Sequence, residues 1–299
     1  MKKIVITLFF VFSVLWVSAQ KQEHEFSIYA GGGFAAFCFQ PTIKNASSMG
    51  YGGDAGVGFT GFISSNWGIH TGIGVGFFNV INTVNSFVFV THNKIICGYP
   101  SDLHTTLSDY KETHKTIFLT VPLMLQFQTT MEQYGNRKKG KKVGYYAMTG
   151  VKAQCLFNYK YTSEIASLNN KAYFPEFNSW LTSFPSEGVG SFNGNNASGK
   201  LKFNILAMFA LETGAKWRIG DKLFLYTGVY FDCGLHDFTK KYRKRDDYYT
   251  SHEQLKELTL LKFTDRMNLI TIGIKLRLGI KLHSGFSKSQ KNGCHYSYR

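Results

Sequence analysis

The residues best suited to catalysis lie in one charged segment after residue 235. Histidine and carboxylate side chains in such a segment could act as a general base and the acid that orients it, as in a hydrolase. Serines are plentiful in the chain, but their spacing supports no Ser-His-Asp triad. An enzyme that hydrolyses lipid or peptide is therefore kept only as an alternative. The candidates in this segment are His236, Asp237, Asp246, Asp247 and His252.

Two short basic runs could bind phosphate, because Arg and Lys both pair with phosphate oxygens. The run at residues 137–142 could touch lipid headgroups or a protein partner. The second run could contact the phosphates of lipopolysaccharide. For both runs, a solvated loop is the simpler interpretation. The second run comprises Lys240, Lys241, Arg243, Lys244 and Arg245.

Charged residues also recur at alternate positions of predicted β-strands, on the side opposite the apolar residues. They could line a polar pore, or they could pair with one another and fill a barrel. A barrel of eight strands is just wide enough for side chains to fill, and an unpaired buried charge is costly, so the paired arrangement is favoured. Glu212 and Asp232 are the expected partners of Lys152, Lys275 or Arg277. The full inward-facing set is Asp54, Lys152, Glu212, Lys216, Asp232, Lys275, Arg277 and Lys281.

The strands that position these charges are predicted from alternation. In the stretch WGIHTGIGVGFFNV, residues 67–80, one face is apolar and the other is nearly all glycine. Successive side chains of a strand lie on opposite faces, so a bare inner face and an apolar outer face indicate a narrow barrel in lipid. Pro122 cannot donate to the ladder and should mark a bulge or a locally open pairing. The eight predicted strands span 25–37, 51–63, 67–80, 117–128, 143–161, 203–217, 223–235 and 267–282.

The connections between these strands alternate in length, beginning with a long one. The segments 81–115 and 162–200 are interpreted as long polar loops. Short periplasmic turns and long outward loops are typical of outer-membrane barrels. The sequence therefore predicts an all-β, eight-stranded antiparallel up-and-down transmembrane β-barrel at residues 20–282, with a basic tail at 283–299.

Residues 1–19 are typical of a secretory signal peptide. Lys2 and Lys3 precede an apolar core, and Ser18-Ala19 precedes the expected cleavage site at Gln20. An anchoring helix is the alternative, but the apolar run is shorter than a bilayer span. No later segment approaches a membrane helix, so a barrel is the expected means of crossing a bilayer.

Net charge and sequence motifs limit the kinds of ligand and partner that this protein is expected to bind. The formal net charge is +15, and an exported basic protein is expected to meet lipid phosphates rather than nucleic acid. The glycines at 72, 74 and 76 do not form a nucleotide loop, because strand alternation continues through them. None of the five cysteines forms a CxxC pair, so no metal or cofactor is expected. Export would permit a disulfide between Cys38 and Cys97, and the sequence leaves their pairing open.

Two segments resemble the central hairpin of the PorT-like outer-membrane β-barrel family of Bacteroidota. They are FLTVPLMLQF at 118–127 and YYAMTGVKAQCL at 145–156. The first carries the aliphatic-Pro-Leu pattern of that family, and the second carries paired tyrosines followed by Gly150. The resemblance implies an eight-stranded barrel in the outer membrane, in a family whose members mostly lack an assigned activity. The final predicted strand departs from many barrels, because Leu282 stands where an aromatic residue is common.

These observations predict a protein in the outer membrane of a Gram-negative bacterium. Its expected role is structural or surface-binding, without catalysis, in contact with outer-membrane lipid and lipopolysaccharide. Long loops are where contact with a ligand or partner is most plausible. An accessory subunit of an envelope machine, such as one for protein secretion, is the first alternative. The name-giving member of the PorT-like family belongs to a secretion machine, but resemblance in one hairpin does not transfer that role to this chain.

Overall fold

The computed structural model describes residues 24–39, 46–129, 142–201, 204–235, 259 and 266–282. Within these ranges, no helix is long and apolar enough to span a bilayer. A single turn of 3-10 helix, Pro185–Glu187, lies between the sixth and seventh strands. The strands are β1 (His24–Phe39), β2 (Ala46–Phe62), β3 (Trp67–Ile96), β4 (Tyr99–Gln128), β5 (Val143–Phe174), β6 (Ser179–Leu181), β7 (Gly190–Leu201), β8 (Asn204–Arg218), β9 (Leu223–Gly234) and β10 (Met267–Leu282).

Eight of these strands close into a ring. The order is β1, β2, β3, β4, β5, β8, β9 and β10, and every neighbouring pair is antiparallel. The ring closes because β1 pairs with β10 along its whole length, from His24 opposite Leu282 to Phe39 opposite Met267. The prediction of an eight-stranded antiparallel barrel is confirmed.

The outer face of the ring is an apolar band. On β3 and β4 the band begins where Trp67 pairs with Phe127 and ends where Phe77 pairs with Ile117. Ten residues of tilted strand rise ~25 Å, which is the height of the lipid-facing band of an outer-membrane barrel. Around the ring the exposed apolar side chains include Ile28, Val57, Val75, Leu123, Val151, Ile205, Val229, Ile274 and Leu276.

Aromatic residues mark both edges of this band. At the short-turn end the Trp67 and Phe127 rings lie 5.0 Å apart, and the Trp217 indole donates to Thr227 Oγ1 at 2.8 Å. At the opposite end, which we call the long-loop end, Tyr51 and Phe77 pack edge to face. Such amphipathic rings favour the level of the lipid headgroups.

Three long strands continue beyond the band at the long-loop end. β3, β4 and β5 have 30, 30 and 32 residues, against 16 in β1 and 12 in β9. β7 pairs with the distal part of β5, from Tyr159 opposite Leu201 to Asn170 opposite Gly190. The distal parts of β3, β4 and β5 form one sheet with β7 and with the short β6, which pairs with the end of β5. This sheet, here called the extension, rises about 50 Å along the strands.

The prediction of polar loops at 81–115 and 162–200 is therefore wrong. Both segments are mostly strand. Their pattern is largely the opposite of that in the barrel, because most of the large apolar side chains lie on the inner face and most of the outer face is polar. Water rather than lipid covers the outer face of this part of the wall, so the apolar side chains turn inward. One inner cluster consists of Val84, Phe87, Leu107, Tyr110, Ile165 and Leu168.

A bulge on β5 lies where the barrel passes into the extension. Asn158 has φ of 50°, and the β4–β5 register shifts at this level. Thr116 Oγ1 donates to the carbonyl oxygen of Phe157 at 3.1 Å and so supports the irregular backbone. The bulge interrupts the alternation of β5, because Phe157 and Asn158 are both exposed and Tyr159 is buried.

Two further features follow from backbone chemistry. The β3–β4 ladder is interrupted opposite Pro122, between the pairs Thr71–Leu123 and Gly74–Thr120, as the missing N–H of proline requires. The β3–β4 hairpin turns at Cys97 and Gly98, both at positive φ. Cys97 therefore lies at the tip of the extension, and both it and Cys38 are free thiols.

Candidate functional site

The barrel interior is built from two unlike halves. Glycines line much of the inner face of β2 and β3, whereas β5, β8, β9 and β10 carry long charged and aromatic side chains. At Gly74 an added Cβ would meet the hydroxyl of Tyr29, and at Gly76 it would meet the ring of Phe118. The glycine-lined face of β2 and β3 leaves room for the long side chains of the other strands inside a ring of eight strands.

Two ion pairs join residues that the sequence placed in one interior network. Lys152 Nζ lies 2.8 Å from both carboxylate oxygens of Asp232. Arg277 Nη2 lies 3.2 Å from Glu212 Oε1. All four side chains are buried, so each pair is largely shielded from water and its attraction is correspondingly strong.

Two more pairs use acids that lie outside that predicted group of five. Lys275 Nζ lies 3.1 Å from Asp54 Oδ2, and Lys216 Nζ lies 3.1 Å from Glu25 Oε2. Asp54 belongs to the inward-facing charges predicted from the sequence, whereas Glu25 is not among them. The four bases and four acids of these pairs balance in charge. Lys281, also predicted to face inward, is partly exposed at the short-turn end.

Tyrosines add hydrogen bonds to several of these charges. Tyr146 donates to Glu212 Oε1 at 3.0 Å, and Tyr226 donates to Glu25 Oε2 at 2.8 Å. The Arg277 guanidinium lies 4.4 Å from the centre of the Tyr226 ring, a cation–π contact. A small cavity beside the network is lined by Tyr29, His70, Thr120, Pro122, Met124, Lys152, Glu212, Lys275 and Arg277.

A second buried polar cluster lies above the barrel, on the inner face of the extension. His114 Nε2 lies 3.0 Å from Glu112 Oε1, and His114 Nδ1 lies 2.6 Å from the Tyr159 hydroxyl. Tyr110 donates to Glu112 Oε2. Thr259, from the β9–β10 connection, donates to Glu112 Oε1 at 2.6 Å. The cluster therefore ties that connection to β4.

The electrostatics of this cluster favour an ionised carboxylate. Burial by itself raises the pKa of Glu112, but the electrostatic interaction with His114 and hydrogen bonds from His114, Thr259 and Tyr110 outweigh it. The net result is a pKa below the ordinary value. Burial and the neighbouring Glu112 charge raise the pKa of the Tyr110 phenol, which therefore stays a donor. No sequence pattern predicts this cluster, because Tyr110, Glu112 and His114 lie in a segment interpreted as a loop.

Several predicted sites fall outside the described residues. The basic run Lys240, Lys241, Arg243, Lys244 and Arg245 is one of them, and so are the hydrolase candidates of the same segment, from His236 to His252. In the described ranges, no group of three or more His, Cys, Asp or Glu side chains could hold a metal ion.

The closed ring, the apolar outer band and the charge-balanced interior define an integral β-barrel of the outer-membrane type. The sequence of residues 18–240 matches the family described as "outer membrane protein beta-barrel domain". The chain belongs to this family, and its location is the outer membrane. No curated protein matches the sequence.

Solved structures with the same architecture share little sequence with this chain. OprG from Pseudomonas aeruginosa is 11% identical, with 88% of this chain and 98% of that chain covered and a TM-score of 0.36. Neisserial surface protein A is 9% identical, with 86% and 97% covered and a TM-score of 0.29. Ail, the attachment invasion locus protein of Yersinia pestis, is 10% identical, with 87% and 99% covered and a TM-score of 0.29. Family membership rests on the sequence match.

Proposed function

We propose that this protein is a non-catalytic anchor in the outer membrane that presents a binding surface outside the cell. In this proposal the signal peptide at residues 1–19 directs export. The long-loop end of the barrel, with its extension, faces outward. The barrel holds the extension at a fixed position and does not conduct solutes.

The extension is the observation that carries this proposal. A span of lipid requires only about ten residues per strand, yet β3, β4 and β5 are about three times that length. The additional strand length has a packed inner face and a largely polar outer face, so it is a folded module rather than a set of connections. A module of this kind has a use only where it meets something beyond the membrane.

The tip of the extension offers a surface suited to contact. Trp180 and Phe177 are about half exposed, as is Tyr99. The Tyr99 and Phe177 rings pack edge to face at 5.0 Å, and Trp180 lies 4.8 Å from the His104 ring. Exposed aromatic groups with polar neighbours are typical of protein–protein contacts.

The orientation can be tested with the free thiol of Cys97. A variant that keeps only Cys97 is compared with one that keeps only Cys155, which faces the lipid band. A membrane-impermeant maleimide applied to intact cells should label Cys97 and leave Cys155 unlabelled. Labelling of Cys97 only after the outer membrane is permeabilised would place the extension in the periplasm and overturn the proposal.

The absence of a pore can be tested by conductance. The purified barrel in a planar bilayer should show no single-channel steps, because the four ion pairs occupy its interior. Steady steps of the size of a small porin would overturn the anchor role in favour of transport.

A second candidate is an accessory subunit of an envelope machine, with the barrel as a PorT-like member of its family. The distal edge of β3 favours it, since Val88, Val90 and Ile95 are exposed there and an apolar strand edge is a template for pairing with another chain. Co-purification of a stable complex that Val88→Lys and Val90→Lys abolish would support this role. A protein that purifies alone after cross-linking in cells would contradict it.

A further inference from the structure

Three lysines lie side by side on the outer face of the extension, directly above the lipid-facing band. Lys115 of β4 is paired with Lys160 of β5, and Lys160 is paired with Lys200 of β7. All three are exposed. Two residues lower, Ile117 is the last apolar side chain of the band on β4. The row therefore stands at the level where acyl chains end and headgroups begin.

Like charges directly opposite one another on neighbouring strands repel and destabilise the sheet. Among the described residues, none of the three lysines has an ion pair. The acid on this face, Glu164, is two rows higher and pairs with Lys111 at 3.7 Å. An external anion bound to the row would relieve this repulsion.

The neighbouring rows add groups suited to phosphate and sugar oxygens. Immediately above the lysines, Thr113 pairs with Thr162, and Thr162 pairs with Ser198. Hydroxyl groups therefore form a second row over the same three strands. Beside the lysines, Asn79 pairs with Lys115 and donates to the Tyr51 hydroxyl at 3.2 Å.

We propose that Lys115, Lys160 and Lys200 bind the phosphate groups of lipopolysaccharide in the surrounding outer leaflet. The face that carries the lysines is continuous with the face that meets acyl chains below, so it borders the headgroups of the same lipids. Three strands place the outer two lysines about 10 Å apart, which suits an anion with two phosphates on one disaccharide better than a single phosphate. This site goes beyond the proposed function and shares with it only the outward orientation.

The test compares two triple variants of equal charge change in lipopolysaccharide-free detergent micelles. The rim variant is K115Q/K160Q/K200Q. The control variant, K94Q/K111Q/K171Q, removes three lysines from elsewhere on the extension. Both must retain the heat-modifiable mobility of a folded barrel. Binding of purified lipopolysaccharide is then measured by titration.

The rim variant should lose roughly 100-fold in affinity, since each lysine at an anionic lipid surface contributes about fivefold. The control should change by less than threefold. The intact protein should bind dephosphorylated lipopolysaccharide and inorganic phosphate far more weakly. Equal losses in the two variants, or equal binding of the dephosphorylated lipid, would overturn the proposal, and so would full competition by millimolar inorganic phosphate.

A single substitution gives an independent readout through the sign of its effect. Without lipopolysaccharide, Lys160→Gln should raise the temperature at which the barrel loses its folded mobility, because it relieves repulsion from both neighbours. With lipopolysaccharide bound, the same substitution should lower that temperature. A shift of the same sign in both conditions would mean that no phosphate bridges the row. Neither result depends on the conductance test or the labelling of Cys97.

Discussion

Replacing Arg277 with methionine tests whether the barrel interior is a sealed set of paired charges. Methionine keeps much of the side-chain volume but removes the guanidinium. The change leaves Glu212, whose side chain is 5% exposed, without its cation. It also removes the charge that lies over the Tyr226 ring.

The expected cost follows from distance and burial. At 3.2 Å and an effective dielectric constant of about 20, the attraction is about 5 kcal/mol. Breaking one side of a buried pair typically costs about 3–5 kcal/mol. The exposed pair Lys111–Glu164 provides the comparison, because its side chains are 46% and 57% exposed. Lys111→Met should therefore cost at most about 1 kcal/mol.

The assay is urea-induced unfolding in detergent micelles, followed by tryptophan fluorescence, with heat-modifiable mobility to confirm the folded starting state. A double variant, R277M/E212Q, completes the cycle. Neutralising Glu212 removes the unpaired charge, so the double variant should be more stable than R277M alone. The same cycle on Lys111 and Glu164 should show almost no coupling.

Equal losses for R277M and K111M would refute the sealed interior. So would a double variant whose loss is the sum of the two single losses. Either result would mean that water reaches these charges and screens them. The planar-bilayer experiment should then show conductance as well.

Two further predictions use matched pairs within the chain. Gly33→Ala should lower the unfolding free energy by about 1–3 kcal/mol, because the added Cβ would clash with the Ile272 carbonyl. The control is Gly32→Ala, which should be tolerated because the nearest atom to an added Cβ there is 3.6 Å away. Equal midpoints of urea unfolding for the two variants would contradict this prediction. Because the pKa of Glu112 is lowered in the folded protein, its ionised form stabilises the folded extension at any pH above the ordinary carboxyl pKa of 4.5. This stabilisation is lost as the pH falls below that value. Proteolysis of the extension should therefore be faster at acid pH than at neutral pH in the wild type. In Glu112→Gln the ratio of the two rates should be much smaller. Parallel pH profiles for the two proteins would contradict this prediction.

The membrane-spanning strands could be predicted from the sequence because lipid imposes a strong pattern. Every second residue from Ile270 to Leu282 is aliphatic, and the prediction of 267–282 coincides with β10. The extension lacks that pattern, since its outer face is polar and positive-φ residues such as Asp109 and Asn93 interrupt its alternation. Polar residues with an irregular period resemble a loop until the packing of their apolar face is known.

The ion pairs of the barrel interior could likewise be predicted only in part. Alternation alone indicates that Lys152, Glu212 and Arg277 face inward, because it needs no knowledge of the partner strand. Which acid meets which base depends on register across the ring. Lys216 and Glu25 are separated by 191 residues, so local sequence carries no sign that they meet.

The bulge at Asn158 connects these observations. Below it, lipid lies outside the wall, so apolar side chains face outward and charges are confined to a paired interior. Above it, water lies outside, so most of the apolar side chains face inward and lysines such as Lys160 face outward. Without the additional residue, Lys160 would point into the barrel and Tyr159 into the headgroups. The bulge therefore exchanges the inward- and outward-facing positions of β5 at the level where lipid gives way to water. It also places Lys160 beside Lys115 at the edge of the membrane.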